Sequence, residues 1–102
     1  MSEPFNPKTA LDTIRSILLN DGRLVIRRHC YIRMGERTVD DLDIRRVLEE
    51  TGTINSKPKW DKKHQKFKYE VNGFDTENEQ LTVVVNIVES NWLVVSITTF
   101  GE

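Results

Sequence analysis

Three side chains in the first half of the chain have the types and the spacing that bind an anion. His29, Arg33 and Arg37 follow one another at intervals of four residues. On a helix this spacing drifts by only about 40° per step, so all three side chains project from one face. Histidine titrates near neutral pH, and the planar guanidinium of arginine can bind two oxygens at once. The spacing therefore predicts an anion-binding stripe on a helix.

Two further helices are predicted around this stripe. Asn6 before Pro7 is a typical helix start, because the asparagine side chain caps free amides and proline has no amide to leave unpaired. Thr38 followed three residues later by Asp41 reads as a variant capping box, so a helix should begin there and end at Gly52. The stripe would then end at a corner between two helices.

Strand patterns dominate the second half of the chain. Residues 66–71 alternate apolar and polar side chains, which indicates a half-buried strand, and residues 81–88 are apolar on both faces, which indicates a central strand. Residues 92–100 follow after a three-residue link, so they should return antiparallel. Residues 24–26 are either a brief strand or an extended lead-in, and residues 56–63 read as an exposed connection.

The order of the elements predicts an α+β fold. Helices come first and strands second, so we expect one domain over residues 1–102, with N-terminal helices packed on a three- to four-stranded antiparallel sheet. Residues 1–22 hold the first helix. No apolar run approaches the length that crosses a bilayer, the first residues lack a signal-peptide pattern, and the single Cys30 cannot form an internal disulfide. We therefore expect a cytoplasmic protein without a membrane partner.

The sequence predicts no cofactor and no metal site. Cys30 lies beside His29, but no second spaced pair of ligands accompanies them. Neither a glycine-rich phosphate loop nor a nucleophile elbow is present. His64, among lysines, is interpreted as a solvated loop residue.

Positive charge is concentrated in two stretches although the net charge is −1. Seven arginines lie in residues 23–46, six lysines lie in residues 57–68, and neither arginine nor lysine follows Lys68. A molecule that is basic on one side suits a polyanionic partner. An aromatic ring among lysines is typical of a platform for single-stranded RNA, and a solubilising strand edge is the alternative. The residues predicted to bind are Lys59, Trp60, Lys62 and Lys63.

The order of these residues resembles a known family. The residues that carry the resemblance are His29, Arg33, Met34, Arg37, Asp43, Ile44, Gly52 and the terminal strand 95–100. They look like the family catalogued as domain of unknown function 4258, over residues 24–100. The resemblance implies a fold similar to the RelE and ParE toxins and the barnase-like ribonucleases, with helices on a curved antiparallel sheet. Many such folds cleave RNA without a metal, although the family itself has no established activity.

Metal-free RNA cleavage, the activity that the resemblance suggests, has definite chemical requirements. A ribose 2′-hydroxyl attacks the adjacent phosphate, which requires a proton acceptor, a proton donor and positive charge for the developing phosphorane. We expect Arg33 and Arg37 to clamp the phosphate and His29 to move a proton. Thr98 or Tyr69 would orient the reacting groups. A protein of this type would be a toxin-like endoribonuclease neutralised by a cognate protein partner.

A non-catalytic binding module of the same fold is the alternative function. The ribosome-dependent toxins of this fold are strongly basic, whereas this chain is nearly neutral, so its attraction to RNA would be weaker and more local. Such a module would recognise a protein or nucleic-acid partner through the lysine-rich edge and a corner at Trp92. His29 would then bond a backbone carbonyl or an acid, and Arg33 and Arg37 would pair with nearby carboxylates.

Overall fold

The computed structural model has three α-helices and five strands in the part of the chain that it describes, which is residues 6–63, 65–88 and 92–100 without the side chains of Arg37, Ile97 and Phe100. The helices are α1 (Pro7–Leu19), α2 (Arg28–Arg37) and α3 (Asp41–Arg46), and α3 continues into a π-helical turn (Val47–Thr51). The strands are β1 (Arg23–Ile26), β2 (Lys59–Asp61), β3 (Lys66–Phe74), β4 (Gln80–Val88) and β5 (Leu93–Phe100). The α+β class predicted from the sequence is confirmed.

The described strands form one mixed sheet in the order β1-β5-β4-β3-β2. The pairs β2–β3, β3–β4 and β4–β5 are antiparallel, whereas β1 runs parallel to β5. The predicted antiparallel pairing of the last two strands is therefore confirmed. The predicted sheet of three or four antiparallel strands is wrong, because two short edge strands extend the sheet and one of them is parallel to its neighbour.

Both edge strands come from segments with weak sequence patterns. Residues 24–26, which the pattern left open between a strand and a lead-in, belong to β1. Residues 56–63, predicted to be an exposed connection, contain β2 instead. Trp60 of β2 pairs with Phe67 of β3, and their rings lie edge to face with centroids 5.1 Å apart. This aromatic contact stabilises the pairing of the lysine-rich strand β2 with β3.

The helix starts agree with the prediction in one case and differ in the other. α1 begins as predicted, since the Asn6 side chain accepts a hydrogen bond of 2.9 Å from an amide in the first turn. Thr38 ends α2 in the left-handed conformation, with φ 56°, whereas a residue that begins a helix is extended. Asp40 is extended and shares a capping box with Asp43, with hydrogen bonds of 3.0 Å in both directions. The predicted capping box of Thr38 and Asp41 is therefore wrong by two residues.

All described helices pack on the same face of the sheet. One buried cluster joins them to it, and includes Ala10, Ile14, Ile17, Leu18, Cys30, Met34, Ile44, Val47, Leu48, Tyr69, Val71, Leu81, Val83, Val85 and Val94. Successive residues of a strand alternate between faces. Val84 lies between two members of the cluster and so faces the opposite side, on which no described helix packs.

A side chain from α1 holds the end of the π-helical turn. The Arg15 guanidinium donates to the carbonyl oxygens of Leu48 at 3.4 Å, Glu50 at 3.3 Å and Gly52 at 2.9 Å. The last carbonyls of a helix lack partners within the helix and carry partial negative charge, so a cation at this end is stabilising. Arg15 therefore caps the turn and joins α1 to it.

Asp43 connects the start of α3 to the turn between β3 and β4. Its carboxylate accepts hydrogen bonds from the Asp40 amide at 3.0 Å, from the Thr76 amide at 2.9 Å and from the Thr76 hydroxyl. Burial raises the pKa of this carboxyl, but the hydrogen bonds from Thr76 and Asp40 favour the charged form and leave the pKa below its usual value.

We expect Arg15→Met to lower the free energy of unfolding by about 1–3 kcal/mol, because it keeps the aliphatic stem but removes hydrogen bonds to carbonyls at a helix end. Urea unfolding followed by circular dichroism measures this change. Arg45→Met is the matched control. The Arg45 side chain is 39% exposed and pairs with Glu49 of the following turn, so its loss should cost less than about 0.5 kcal/mol. Equal losses in the two variants would contradict the capping role of Arg15.

We also expect Asp43 to make part of the stability depend on acid pH. A carboxyl whose pKa is lower in the folded chain contributes stability that is present above its unfolded pKa, about 3.9, and is lost as pH falls through its folded pKa. Asp43→Asn should therefore lower the free energy of unfolding at pH 7 and flatten its decline in acid. Asp41→Asn, an exposed carboxylate in the same helical turn, is the control. Superimposable pH profiles of the parent and Asp43→Asn would rule out this role.

Candidate functional site

Only one side of α2 rests on the sheet. Cys30 and Met34, four residues apart, are buried, and the Cys30 thiol lies 3.2 Å from the hydroxyl of Ser96 in β5. The amide of Arg27, just before the helix, donates to the Ser96 carbonyl at 3.0 Å. The remaining described positions are on the outer side. These exposed residues are Arg28, His29, Tyr31, Ile32, Arg33, Gly35 and Glu36.

Cys30 belongs to the core and is poorly suited to be a nucleophile. Burial raises the pKa of its thiol, and the hydrogen bond with Ser96 opposes this effect without cancelling it. The thiolate is the reactive form of cysteine. The Cys30 side chain therefore stays protonated at neutral pH and serves to dock α2.

The predicted anion-binding stripe has two members with described side chains. His29 and Arg33 are both exposed and lie one helical turn apart. Arg33 is 3.8 Å from the Glu36 carboxylate, which is too far for a hydrogen bond, and its side chain is 49% exposed. The His29 side chain has no hydrogen bond or ion pair with the described part of the chain. The Arg37 side chain and all of His64 lie outside the described residues. The structure thus brings His29 and Arg33 together where a ligand can reach both.

Tyr69 and Thr98 lie on opposite faces of the sheet. Tyr69 pairs with Val85 and is buried in the cluster under the helices, with 3% of its surface exposed. Thr98 pairs with Val84, and directly paired residues of antiparallel strands share a face. Thr98 therefore faces away from the helices. The structure does not bring these two side chains together, and their orienting role stays a prediction.

A β-bulge explains the position of Thr98. Val85 pairs with Ser96, whereas Val84 pairs with Thr98, so one extra residue of β5 lies between these pairs. Simple alternation from Ser96 would turn Thr98 toward the helices. Because of the extra residue, Thr99 faces the helices instead, and only 1% of its surface is exposed.

The lysine-rich residues predicted to bind RNA lie at the other end of the sheet. Two are in β2 and two are in the turn that follows it, and all four are exposed: Lys59, Trp60, Lys62 and Lys63. Trp60 remains 40% exposed although it contacts Phe67. The ammonium group of Lys59 lies 3.5 Å from the Glu70 carboxylate. Three strand spacings, or about 14 Å, separate β2 from β5, on which α2 packs. The two predicted binding regions are therefore separate surfaces.

Two apolar side chains on the outer side of α2 were not predicted from the sequence. Tyr31 is 58% exposed and Ile32 is 53% exposed. Their position follows from the burial of Cys30 and Met34, because helical spacing then turns positions 31 and 32 outward. An exposed ring beside cations is an arrangement that binds unpaired bases.

Two hollows are lined by described residues near the helices. A groove of about 560 Å³ between α1 and α3 is lined by Leu19, Leu42, Arg45, Arg46, Glu49, Glu50 and Thr76. A second hollow is acidic and is lined by Glu36, Thr38, Val39, Asp75, Glu79, Gln80 and Leu81. Neither includes His29 or Arg33. In the described part of the chain, these two side chains stand on an exposed helix surface, whereas catalytic sites usually occupy a cleft.

Metal ligation and membrane insertion have no structural signal in the described residues. No group of three histidine, cysteine, aspartate or glutamate side chains among them could hold a metal ion. None of the helices described above combines the length and the apolar character needed to cross a membrane.

The sequence of this fold matches one family. Residues 26–99 match the family described as a domain of unknown function (DUF4258). The chain belongs to this family. The match runs from the end of β1 through most of β5 and leaves α1 outside. No curated protein and no solved structure matches the chain. Similarity to the RelE, ParE and barnase-like folds stays a prediction.

Several residues that suggested the DUF4258 resemblance have structural tasks. Met34 is buried in the core, Asp43 binds the β3–β4 turn, and Gly52 packs so closely that a Cβ would collide with its neighbours. His29 and Arg33 are exposed and have no comparable task in the described structure. Within this pattern, His29 and Arg33 are therefore the candidates for a functional role.

Proposed function

We propose that this DUF4258 chain is an RNA-binding protein that holds phosphates on the outer side of α2. Arg28, His29 and Arg33 lie there within two helical turns, and all three are exposed. The acid on the same side is Glu36, which is 3.8 Å from Arg33. A guanidinium without a short ion pair keeps its donors for phosphate oxygens. This local excess of positive charge is the observation that carries the proposal.

The local arrangement of charge supports this proposal more than the net charge does. The chain as a whole has a net charge of −1. Two other arginines make intramolecular contacts that occupy their guanidinium groups. Arg45 pairs with Glu49 at 3.0 Å, and Arg15 donates to the Gly52 carbonyl at 2.9 Å. Exposed charges interact weakly beyond about 8 Å at physiological salt. A phosphate bound at Arg28 or Arg33 would therefore be governed by the charges close to it and not by the net charge of the chain.

The lysine-rich edge is proposed as a second contact for a longer RNA. Lys62 and Lys63 are exposed, and Trp60 presents an accessible ring beside them. Lysines of this kind bind phosphates, and an exposed indole can stack on a base. A single-stranded RNA that extended from α2 across the sheet would reach this edge. A short RNA would occupy α2 alone.

Metal-independent RNA cleavage is the second candidate function. The observation that favours it is the pair His29 and Arg33, which are exposed one turn apart and could reach the same phosphate. Arg33, with Arg37, would stabilise the phosphorane, and His29 would move the proton. The orienting role of Tyr69 or Thr98, a RelE-like or barnase-like architecture and neutralisation by a cognate protein belong to this candidate.

Binding is tested with a fluorescently labelled RNA and anisotropy measurements over a range of salt concentrations. We expect Arg28→Ala and Arg33→Ala each to weaken binding and to reduce the slope of log Kd against log salt by about 0.7, because each removes one contact with a single-stranded phosphate backbone. Arg45→Ala is the matched control, since Arg45 is engaged with Glu49. If neither Arg28→Ala nor Arg33→Ala changes affinity, α2 is not the RNA-binding surface.

Cleavage is tested with an RNA pool in the presence of a chelator, with and without ribosomes. A general acid or base contributes about 10² to 10⁴ in rate, so His29→Ala should remove most cleavage while leaving the circular dichroism spectrum unchanged. Arg33→Ala should have a similar effect. Cleavage that is equal in the parent and both variants would assign the activity to a contaminant. RNA binding by the parent without cleavage would leave the binding module as the function.

A further inference from the structure

Gly35 has no structural reason to be glycine in the described part of the chain. It lies inside α2, where glycine is less favourable than alanine because more backbone freedom is lost on folding. A Cβ at Gly22, Gly52 or Gly73 would collide with neighbouring atoms, whereas a Cβ at Gly35 would meet nothing within 4 Å. The unfavourable glycine at this exposed position therefore points to a contact with a ligand.

Two large apolar side chains are exposed on the same side of α2 as Gly35. Tyr31 and Ile32 precede it by four and three residues, so all three residues lie on the same side of the helix. Tyr31 is 58% exposed and Ile32 is 53% exposed. Arg28 lies on this side one turn earlier. We call the surface formed by Arg28, Tyr31, Ile32 and Gly35 the notch.

We infer that the notch binds one unpaired base of a single-stranded RNA. The base stacks on the Tyr31 ring and lies over the bare backbone at Gly35, with Ile32 against its edge. Arg28 binds a neighbouring phosphate. This inference rests on the proposed RNA binding by α2 and adds the class of RNA that the helix selects.

The exposed ring favours a single strand over a duplex. In double-stranded RNA the bases stack on one another, and the deep major groove is too narrow for side chains to read. Tyr31 would find no free base face there. Cations bind phosphates of both forms. Tyr31 and Gly35 therefore distinguish the two classes of RNA, whereas Arg33 does not.

The size and the charge of the notch favour a base over a protein partner. A standard protein interface buries about 800 Å² on each partner, and two exposed apolar side chains on a helix of 10 residues supply only a small part of such an area. They are large enough for one base. The exposed cation Arg28, on the same side of the helix, complements a phosphate that flanks it.

The first test compares a labelled single-stranded RNA with the same RNA annealed to its complement. Tyr31→Ala should weaken single-strand binding about 5- to 140-fold, which is the loss of one base stack, and leave duplex binding unchanged. Tyr31→Phe keeps the ring and should keep the affinity. An equal rise in Kd for both RNAs would overturn the inference.

The second test separates affinity from stability. Gly35→Ala should raise the melting temperature by about 4–8 °C, because alanine is the better helix former. The same variant should weaken single-strand binding, because its methyl group occupies the notch. A protein that is more stable than the parent has not lost affinity by unfolding. Ser16→Ala, on the exposed side of α1, is the control and should leave RNA affinity unchanged.

The outcomes distinguish this inference from the proposed function. If Arg33→Ala weakens binding to both RNAs while Tyr31→Ala and Gly35→Ala bind like the parent, α2 binds RNA but the notch does not bind a base. If the parent binds neither RNA, both proposals fail. If Tyr31→Ala changes the sedimentation coefficient of the protein and not its RNA affinity, the notch is an interface between protein chains, and the inference is overturned.

Discussion

The carboxylate of Asp43 holds the corner on which the arrangement of the helices depends. α2 ends at Thr38 in a left-handed conformation, and the capping box of Asp40 and Asp43 starts α3 immediately afterwards. The same carboxylate binds the amide and the hydroxyl of Thr76 in the β3–β4 turn. This attaches the corner to the sheet. This attachment fixes one end of α2, and the contact of Cys30 with Ser96 fixes the helix on β5.

Local sequence signals predicted the elements better than they predicted their partners. The alternation in residues 66–71, the apolar run 81–88 and the Asn6 cap are local properties, and β3, β4 and α1 form as expected. The parallel pairing of β1 with β5 joins distant parts of the chain. Strand propensity depends on such neighbours and cannot identify them in advance. β2 was missed for a related reason, since the contact between Trp60 and Phe67 appears only after folding.

The candidate site could be predicted where it depends on one regular helix. The spacing of His29 and Arg33 places them one turn apart because α2 forms as a helix over both positions. Tyr69 and Thr98 depend on the sheet instead, and the insertion of a single residue in β5 reverses the alternation of side chains beyond it. The exposure of Tyr31 could not be predicted, because only the packing of α2 shows which side of the helix faces outward.

The parallel pair of β1 and β5 attaches α2 to the last strand of the sheet. Arg23 of β1 pairs with Leu93 of β5, 70 positions later. Cys30, on the buried side of α2, contacts Ser96 of β5. A ribosome delivers the N-terminal part of a chain first, so α2 emerges well before the strand on which it packs. Contacts of such large sequence separation slow folding. During synthesis α2 therefore emerges before the strand on which it packs. The nascent chain acquires the proposed RNA-binding surface only when β5 is complete.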